Sequence, residues 1–388
     1  MTNHDPAVDS LFRPITVNRL TIKNRLAMAP MTRCSSPDNT PNETVVEYYR
    51  KRAAGGTGLI VTEGVGVDQP AAIGEGSGTA THIPLLHGER PLAGWRKVVE
   101  AVHASGGLIF PQLWHQGVFR IEGTGPYPDV PSLRPSGIWG PTGGFSTVSP
   151  DYISKVIEPT RPMTEEEIAD AVQGFARSAR NAKEVGFDGI AIHGASGYLI
   201  DSFFWSKTNL RTDRYGGDMA GRATFGVEIV RAIRDAVGPE MPIMFRFGQW
   251  KQQDFTAKIA ETPDELGILL RALAEAGVDL FDASTLYFSA PVFEGSDLGL
   301  AAWAKKLSGK PVMAVGGVGL SESLFKSFET GGASVENNFY DVAERIERGE
   351  FDMIALGRAL IADPNWPEKV RRGQPTLPYS RDMLMSLV

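Results

Sequence analysis

Two short stretches have the makings of an anion cradle: Gly316-Gly317 and Gly357-Arg358. Glycine lets backbone N–H groups approach a phosphate closely, and a guanidinium adds a charge-assisted contact. Two tight turns without any ligand would use the same residues. A second group is polar or aromatic: Thr32, Gln112, His193, Ser196, Tyr198 and Arg246. Each lies at, near or just beyond the end of an apolar run. Singly, such residues are satisfied loop or core groups, and Tyr198 alone reads as an aromatic packed at a helix start. They gain meaning only if one fold brings them to one place.

The elements that would do so can be read from hydrophobic patterning. Eight short apolar runs, Arg25–Met31, Gly58–Glu63, Leu108–Leu113, Gly189–His193, Ile243–Phe247, Leu280–Ala283, Pro311–Val315 and Met353–Leu356, alternate with helical patterns. Most are near-continuous rather than alternating, as strands buried on both faces are, and that is the condition of a parallel sheet. Thr164 and Glu167 form a capping box that opens a helix ended by Gly186. Thr262, Pro263 and Glu265 repeat the device, with Gly277 as the stop. Eight β–α repeats predict an α/β chain folded as a (β/α)8 TIM barrel, a single domain over residues 1–388. Residues 10–24 read as a hairpin plugging the far end. The Pro/Gly/Ser-rich stretch 119–160 reads as a long loop after strand three, at the C-terminal face where TIM-barrel active sites lie. That face gathers Pro30, Met31 and Thr32 with Gln112, His193, Arg246 and both glycine pairs.

Composition narrows the function classes. In 388 residues, 39 Lys+Arg stand against 46 Asp+Glu, a net charge of −7, so no basic excess serves nucleic acid. The single cysteine, Cys34, cannot build a disulfide framework, a cysteine-held iron–sulfur cluster or a structural zinc site. It reads as a buried thiol. No metal spacing, membrane span or signal sequence is evident, so a cytoplasmic enzyme with a small-molecule substrate is expected, for which a homo-oligomer is one open assembly. GEGSGT (74–79) and GGVGLS (316–321) both lack the last glycine of a dinucleotide fingerprint, so any nicotinamide should bind at the barrel mouth itself.

Several longer stretches resemble the Old Yellow Enzyme family of FMN-dependent ene-reductases. They are NRLAMAPMTR (24–33), VVEYYRKRA (45–53), LIVTEG (59–64), PQLWHQG (111–117), HGASGYLIDSFFW (193–205), NLRTDRYGG (209–217), MFRFG (244–248), AVGGV (314–318) and ALGRALIADPNW (355–366). The resemblance runs from Leu11 to about Asp382 and implies FMN as cofactor, with NADPH or NADH as reductant. It places Pro30, Met31 and Thr32 against the flavin, Thr32 bonding O4. Gly64 would line the ring, Gln112 would bind the pyrimidine edge, and Arg246 would sit near N1 and O2. Gly316, Gly317, Gly357 and Arg358 would hold the phosphate. His193 would donate to a substrate carbonyl oxygen and Tyr198 would protonate carbon.

The implied activity is ping-pong reduction of the activated C=C bond of an α,β-unsaturated carbonyl compound. This chain departs from the family pattern in three places. Ser196 stands where a second long donor, Asn or His, is usual. Met385 closes SRDMLM (380–385), where the family has a tyrosine. Gly221-Arg222 replaces an Asn-Arg pair. Ser196 therefore keeps an alternative open: a flavin oxidoreductase of the same family acting on an amine, aromatic or steroid-like substrate. A flavin binder with residual NAD(P)H oxidase activity is a third possibility.

Overall fold

The computed structural model describes residues 5–76, 80–146 and 148–387, so the end of the GEGSGT stretch lies outside the described residues. The eight apolar runs form eight strands: β1 (Leu26–Met28), β2 (Leu59–Gly66), β3 (Leu108–Trp114), β4 (Ile190–His193), β5 (Ile243–Gly248), β6 (Leu280–Ser284), β7 (Val312–Val315) and β8 (Met353–Leu356). They close into one parallel barrel, β8 pairing with β1. Nearly every strand residue is buried, because helices cover the outside and side chains fill the inside. Ala27, Leu59, Val61, Phe110, Ala191, Met244, Leu280, Met313 and Met353 make up that interior. Between strands and helices lies a second, larger core around Trp95, Phe175, Ile229 and Leu270.

The hairpin forms from Ile15–Val17 and Leu20–Ile22. Val17 and Ile22 are fully buried and belong to the same cluster as the barrel interior, so the hairpin does stopper one end. Helix Glu165–Val185 opens with the complete capping box of Thr164 and Glu167 and ends on Gly186 in the left-handed region. The second box is half made. Thr262 caps the Glu265 N–H, but the Glu265 carboxylate turns to the N–H of Glu261 and to Arg222.

Register sets out the mouth. In β2–β3 it shifts between Val61 and Gly64, so the chain bulges at Thr62-Glu63. In β4–β5–β6, His193 pairs with Arg246 and Arg246 with Asp282, placing the three in one row. Among its described residues the long segment 119–160 forms one short α-helix, Pro150–Val156. It is ordered from within by two buried arginines. Arg120 donates to the carbonyls of Ile73, Thr124, Tyr127 and Val130, and Arg134 to those of Val156 and Glu158.

Candidate active site

A cleft of about 400 Å³ opens at the C-terminal ends of the strands. Pro30, Met31 and Thr32 border it from the turn after β1, and Gln112 from β3. His193, Ser196 and Tyr198 border it from the β4 turn, and Arg246 from β5. Gly316, Gly317, Gly357 and Arg358 close it after β7 and β8. Tertiary structure thus gathers residues spread over more than three hundred positions.

Gly64 is the exception. It does not border the cleft. A Cβ there would meet the indole of Trp114 at 2.6 Å. The bulge just before it sets this glycine against that ring, so the missing side chain makes room for Trp114. Trp114 in turn packs 6.5 Å from His193 and edge-on to Tyr198 at 5.0 Å.

Tyr198 caps the short helix Leu199–Phe204 and is only 7% exposed, so the packing reading holds as well as the cleft placement. Its ring meets His193 at 4.9 Å and Phe119 at 5.2 Å, both edge to face. Burial, then the nearby Arg246 charge, holds the His193 imidazole well below its ordinary range, so it is neutral. Its Nδ1 is buried and has no hydrogen-bond partner.

Arg246 donates to Asp282 at 3.1 Å and to the Ser284 hydroxyl at 3.0 Å. Two of its five N–H donors are thereby engaged and its plane is fixed. Asp282 is fully buried. Burial pushes its carboxyl upward, and Arg246 opposes that shift. Asp282 was not anticipated as a site residue, although the alternation Asp-Ala-Ser at a strand end is its trace in the sequence. Trp250, Gln252 and Phe255 after β5 also border the cleft and left no such trace. The 119–160 segment reaches a neighbouring hollow, which Ser149 and Tyr152 share with Tyr198 and Gln252.

The departures from family pattern sort by position. Ser196 is in the cleft, 7% exposed, with φ of +67°. Met385 is 87% exposed and outside it. Gly221 and Arg222 serve packing. A Cβ at Gly221 would strike the Gly216 carbonyl at 2.0 Å, and Arg222 binds the carbonyls of Phe204 and Gly217. Cys34 is half-buried, with its thiol pushed up to about 11, chiefly by burial and then by Glu63, as an unreactive thiol would be. His115, the other histidine near the mouth, is buried and neutral, bonded to Gln69.

The donor set fits FMN. The buried Gln112 amide nitrogen has no partner, as a group awaiting a carbonyl edge would not. Gly316, at φ +135°, passes so close to the β6 turn that a Cβ would lie 2.6 Å from the Thr285 carbonyl. Arg358 gives two donors to the carbonyls of Glu322 and Ser323, which leaves others in its fork for a phosphate.

Residues 10–376 match the model of the NADH:flavin oxidoreductase / NADH oxidase family. Similar proteins include the NADH oxidase of Thermoanaerobacter brockii, 34% identical over 377 residues, covering 94% of this chain and 51% of that protein. Chanoclavine-I aldehyde reductase fgaOx3 of Penicillium roqueforti is 33% identical, covering 96% of this chain and 91% of its own. The chain spans about half the length of the first relative and most of the second. Morphinone reductase, solved in complex with tetrahydroNAD, superposes with a TM-score of 0.77 at 27% identity, covering 97% of this chain and 94% of that one. With the barrel, the cleft and the match over nearly its whole length, the chain belongs to the NADH:flavin oxidoreductase / NADH oxidase family, that of Old Yellow Enzyme.

Proposed function

We propose that the protein is an FMN-dependent ene-reductase, with NADH or NADPH as reductant and an α,β-unsaturated carbonyl compound as substrate. Pro30, Met31, Thr32, Gln112 and Arg246 would hold the ring system. Gly316, Gly317, Gly357 and Arg358 would hold the phosphate. When bound, FMN supplies a two-electron store, filled by the nicotinamide and emptied as hydride onto the activated C=C bond.

The chain's own residues do the rest. Arg246 brings a guanidinium, and Asp282 and Ser284 fix its direction. It therefore offers a standing cation to anionic charge on the ring. His193, neutral, retains one N–H to donate to the substrate carbonyl oxygen as negative charge gathers there. A donor aimed at developing charge is worth about 3–4 kcal/mol. Ser196 adds a single short hydroxyl donor. Tyr198 delivers a proton to the α-carbon. Trp114, Phe119 and Tyr198 pack as one aromatic wall, which excludes water from that side.

The observation that carries this reading is His193 with an unpartnered Nδ1, edge-on to Tyr198 and beside a fixed Arg246. Ser196 favours the second reading, an amine, aromatic or steroid-like substrate, because a shorter side chain leaves more of the cleft open. One experiment separates them. Photoreduced protein is mixed without oxygen with cyclohexenone and quinones, oxidised protein is mixed with amines, and flavin absorbance is followed. Fast reoxidation by enones supports the proposal. Reoxidation by none of them, with the flavin still bound, rejects it.

A further inference from the structure

Behind the β4 turn lies an ion pair that plays no part in the chemistry above. Lys251 Nζ donates to Asp201 at 2.8 Å, and both side chains are wholly buried. Burying two charges costs several kcal/mol per ion before their attraction is counted, so the pair is an expensive element of the fold. Its location accounts for it. The other Asp201 oxygen accepts the Gly197 N–H at 2.6 Å. The lysine lies in the β5 turn, between the cleft residues Trp250 and Gln252, and donates again to the Gly248 carbonyl. Next to it the Gln252 N–H donates to the Ser196 carbonyl, and Ser196 and Lys251 form a lone parallel bridge.

The segment so held is unusual backbone. Ser196 at +67° and Gly197 at +88° are successive left-handed residues between His193 and Tyr198. Left-handed backbone at a non-glycine residue costs of order 1–3 kcal/mol and persists only where its surroundings over-determine it.

We propose that Asp201 and Lys251 are positioning residues. They clamp the β4 turn, with Ser196 and Tyr198, to the β5 turn, with Trp250 and Gln252, so that the substrate-facing wall of the cleft keeps its shape. The inference rests on the proposed function only in naming the substrate that the wall serves. Asp201 reaches substrate through Gly197 and Ser196, and Lys251 through Asp201.

The double variant Asp201→Asn/Lys251→Met tests this in the FMN-loaded protein. The Asn oxygen still accepts from Gly197, and Met fills the lysine's space, so no lone buried charge is left behind. The readout is the ratio of two reoxidation rates of the reduced flavin, by cyclohexenone and by oxygen, because oxygen needs no held carbonyl. The expected result is full flavin content and an unchanged oxygen rate, with a ratio lowered at least tenfold. A merely structural pair would move melting temperature and flavin retention but leave the ratio alone, and a ratio equal to wild type overturns the proposal. If the double variant does not accumulate as a flavoprotein, Lys251→Gln is read in the same way. If wild-type protein itself ignores cyclohexenone, the proposed substrate is wrong. The clamp is then judged on the Kd for NADH, raised in the variant if it positions this wall and unchanged if it does not.

Discussion

Ser196 combines an unfavourable backbone with a short donor, and one substitution addresses both. Asparagine tolerates the left-handed region better than serine and brings two N–H donors on a longer arm. Ser196→Asn is expected to leave the melting temperature equal or higher and to speed cyclohexenone-driven reoxidation roughly tenfold, a fraction of what one well-aimed donor contributes. Flavin reduction by NADH should change less, since no oxyanion forms in that half-reaction. Rapid mixing of each half-reaction checks this, and an unchanged or slower enone step with flavin bound removes position 196 from the oxyanion site.

Glu63 and His115 set up a test by pH. Burial pushes the Glu63 carboxyl from 4.5 up to about 7, although the N–H groups of Arg33 and Cys34 bond it. Its folded value lies above the unfolded one, so its contribution to stability is full below pH 4.5 and is lost as pH rises to 7. Burial, then Arg120, takes His115 from 6.5 down to about 3. Its contribution is full above pH 6.5 and is lost as pH falls. Between 4.5 and 6.5 the two slopes oppose, each about 1.4 kcal/mol per pH unit. Glu63→Gln keeps an oxygen for both N–H groups and removes one slope. Denaturant unfolding of the two proteins should therefore show wild type gaining on the variant as pH falls from 7 to 4.5. A difference independent of pH would mean that Glu63 titrates normally.

Among the elements, the barrel divides its labour between its ends. Turns at the C-terminal ends carry the cleft, while the hairpin Ile15–Val17/Leu20–Ile22 closes the other end with Val17 and Ile22 fully buried. Ile22→Ala is expected to cost about 2–5 kcal/mol, the range for truncating a buried aliphatic side chain. It should leave the half-reaction rates within twofold at a temperature where the variant is folded. A loss of enone turnover matching the loss of stability would show that the two ends are coupled. The β2 bulge works at the same level. It sets Gly64 under Trp114 and so supports the ring against which His193 and Tyr198 pack.

For the protein as one body, the cofactor is expected to be part of its stability. A ligand present at about a hundred times its Kd adds roughly 2.7 kcal/mol. Stripping FMN should lower the melting temperature, and adding it back should restore it. Riboflavin, which lacks the phosphate, should restore less, because Gly316, Gly317, Gly357 and Arg358 would then have nothing to hold. Equal rescue by the two flavins would place the phosphate elsewhere.

The barrel was legible in the chain because its determinants are local and repeated. Eight continuous apolar runs, helix caps such as Thr164 and glycine stops such as Gly186 each act over a few residues. Pro30, Thr32, Gln112, His193, Arg246 and the two glycine pairs could be placed at the mouth because each lies in the last part of a strand or in the turn after it. The close packing of Gly64 on Trp114 could not be read, because it follows from a register shift between two strands. Asp282 was missed because its meaning lies in pairing with Arg246 across β5–β6, and a strand pattern does not announce register. Lys251, in the turn after β5, and Asp201, in the short helix Leu199–Phe204, lie fifty residues apart, and only closure of the barrel brings them to 2.8 Å. Local sequence determines which elements form and which ends they present. Register, bulges and buried charge pairing depend on contacts between distant segments, and the tertiary structure alone decides them.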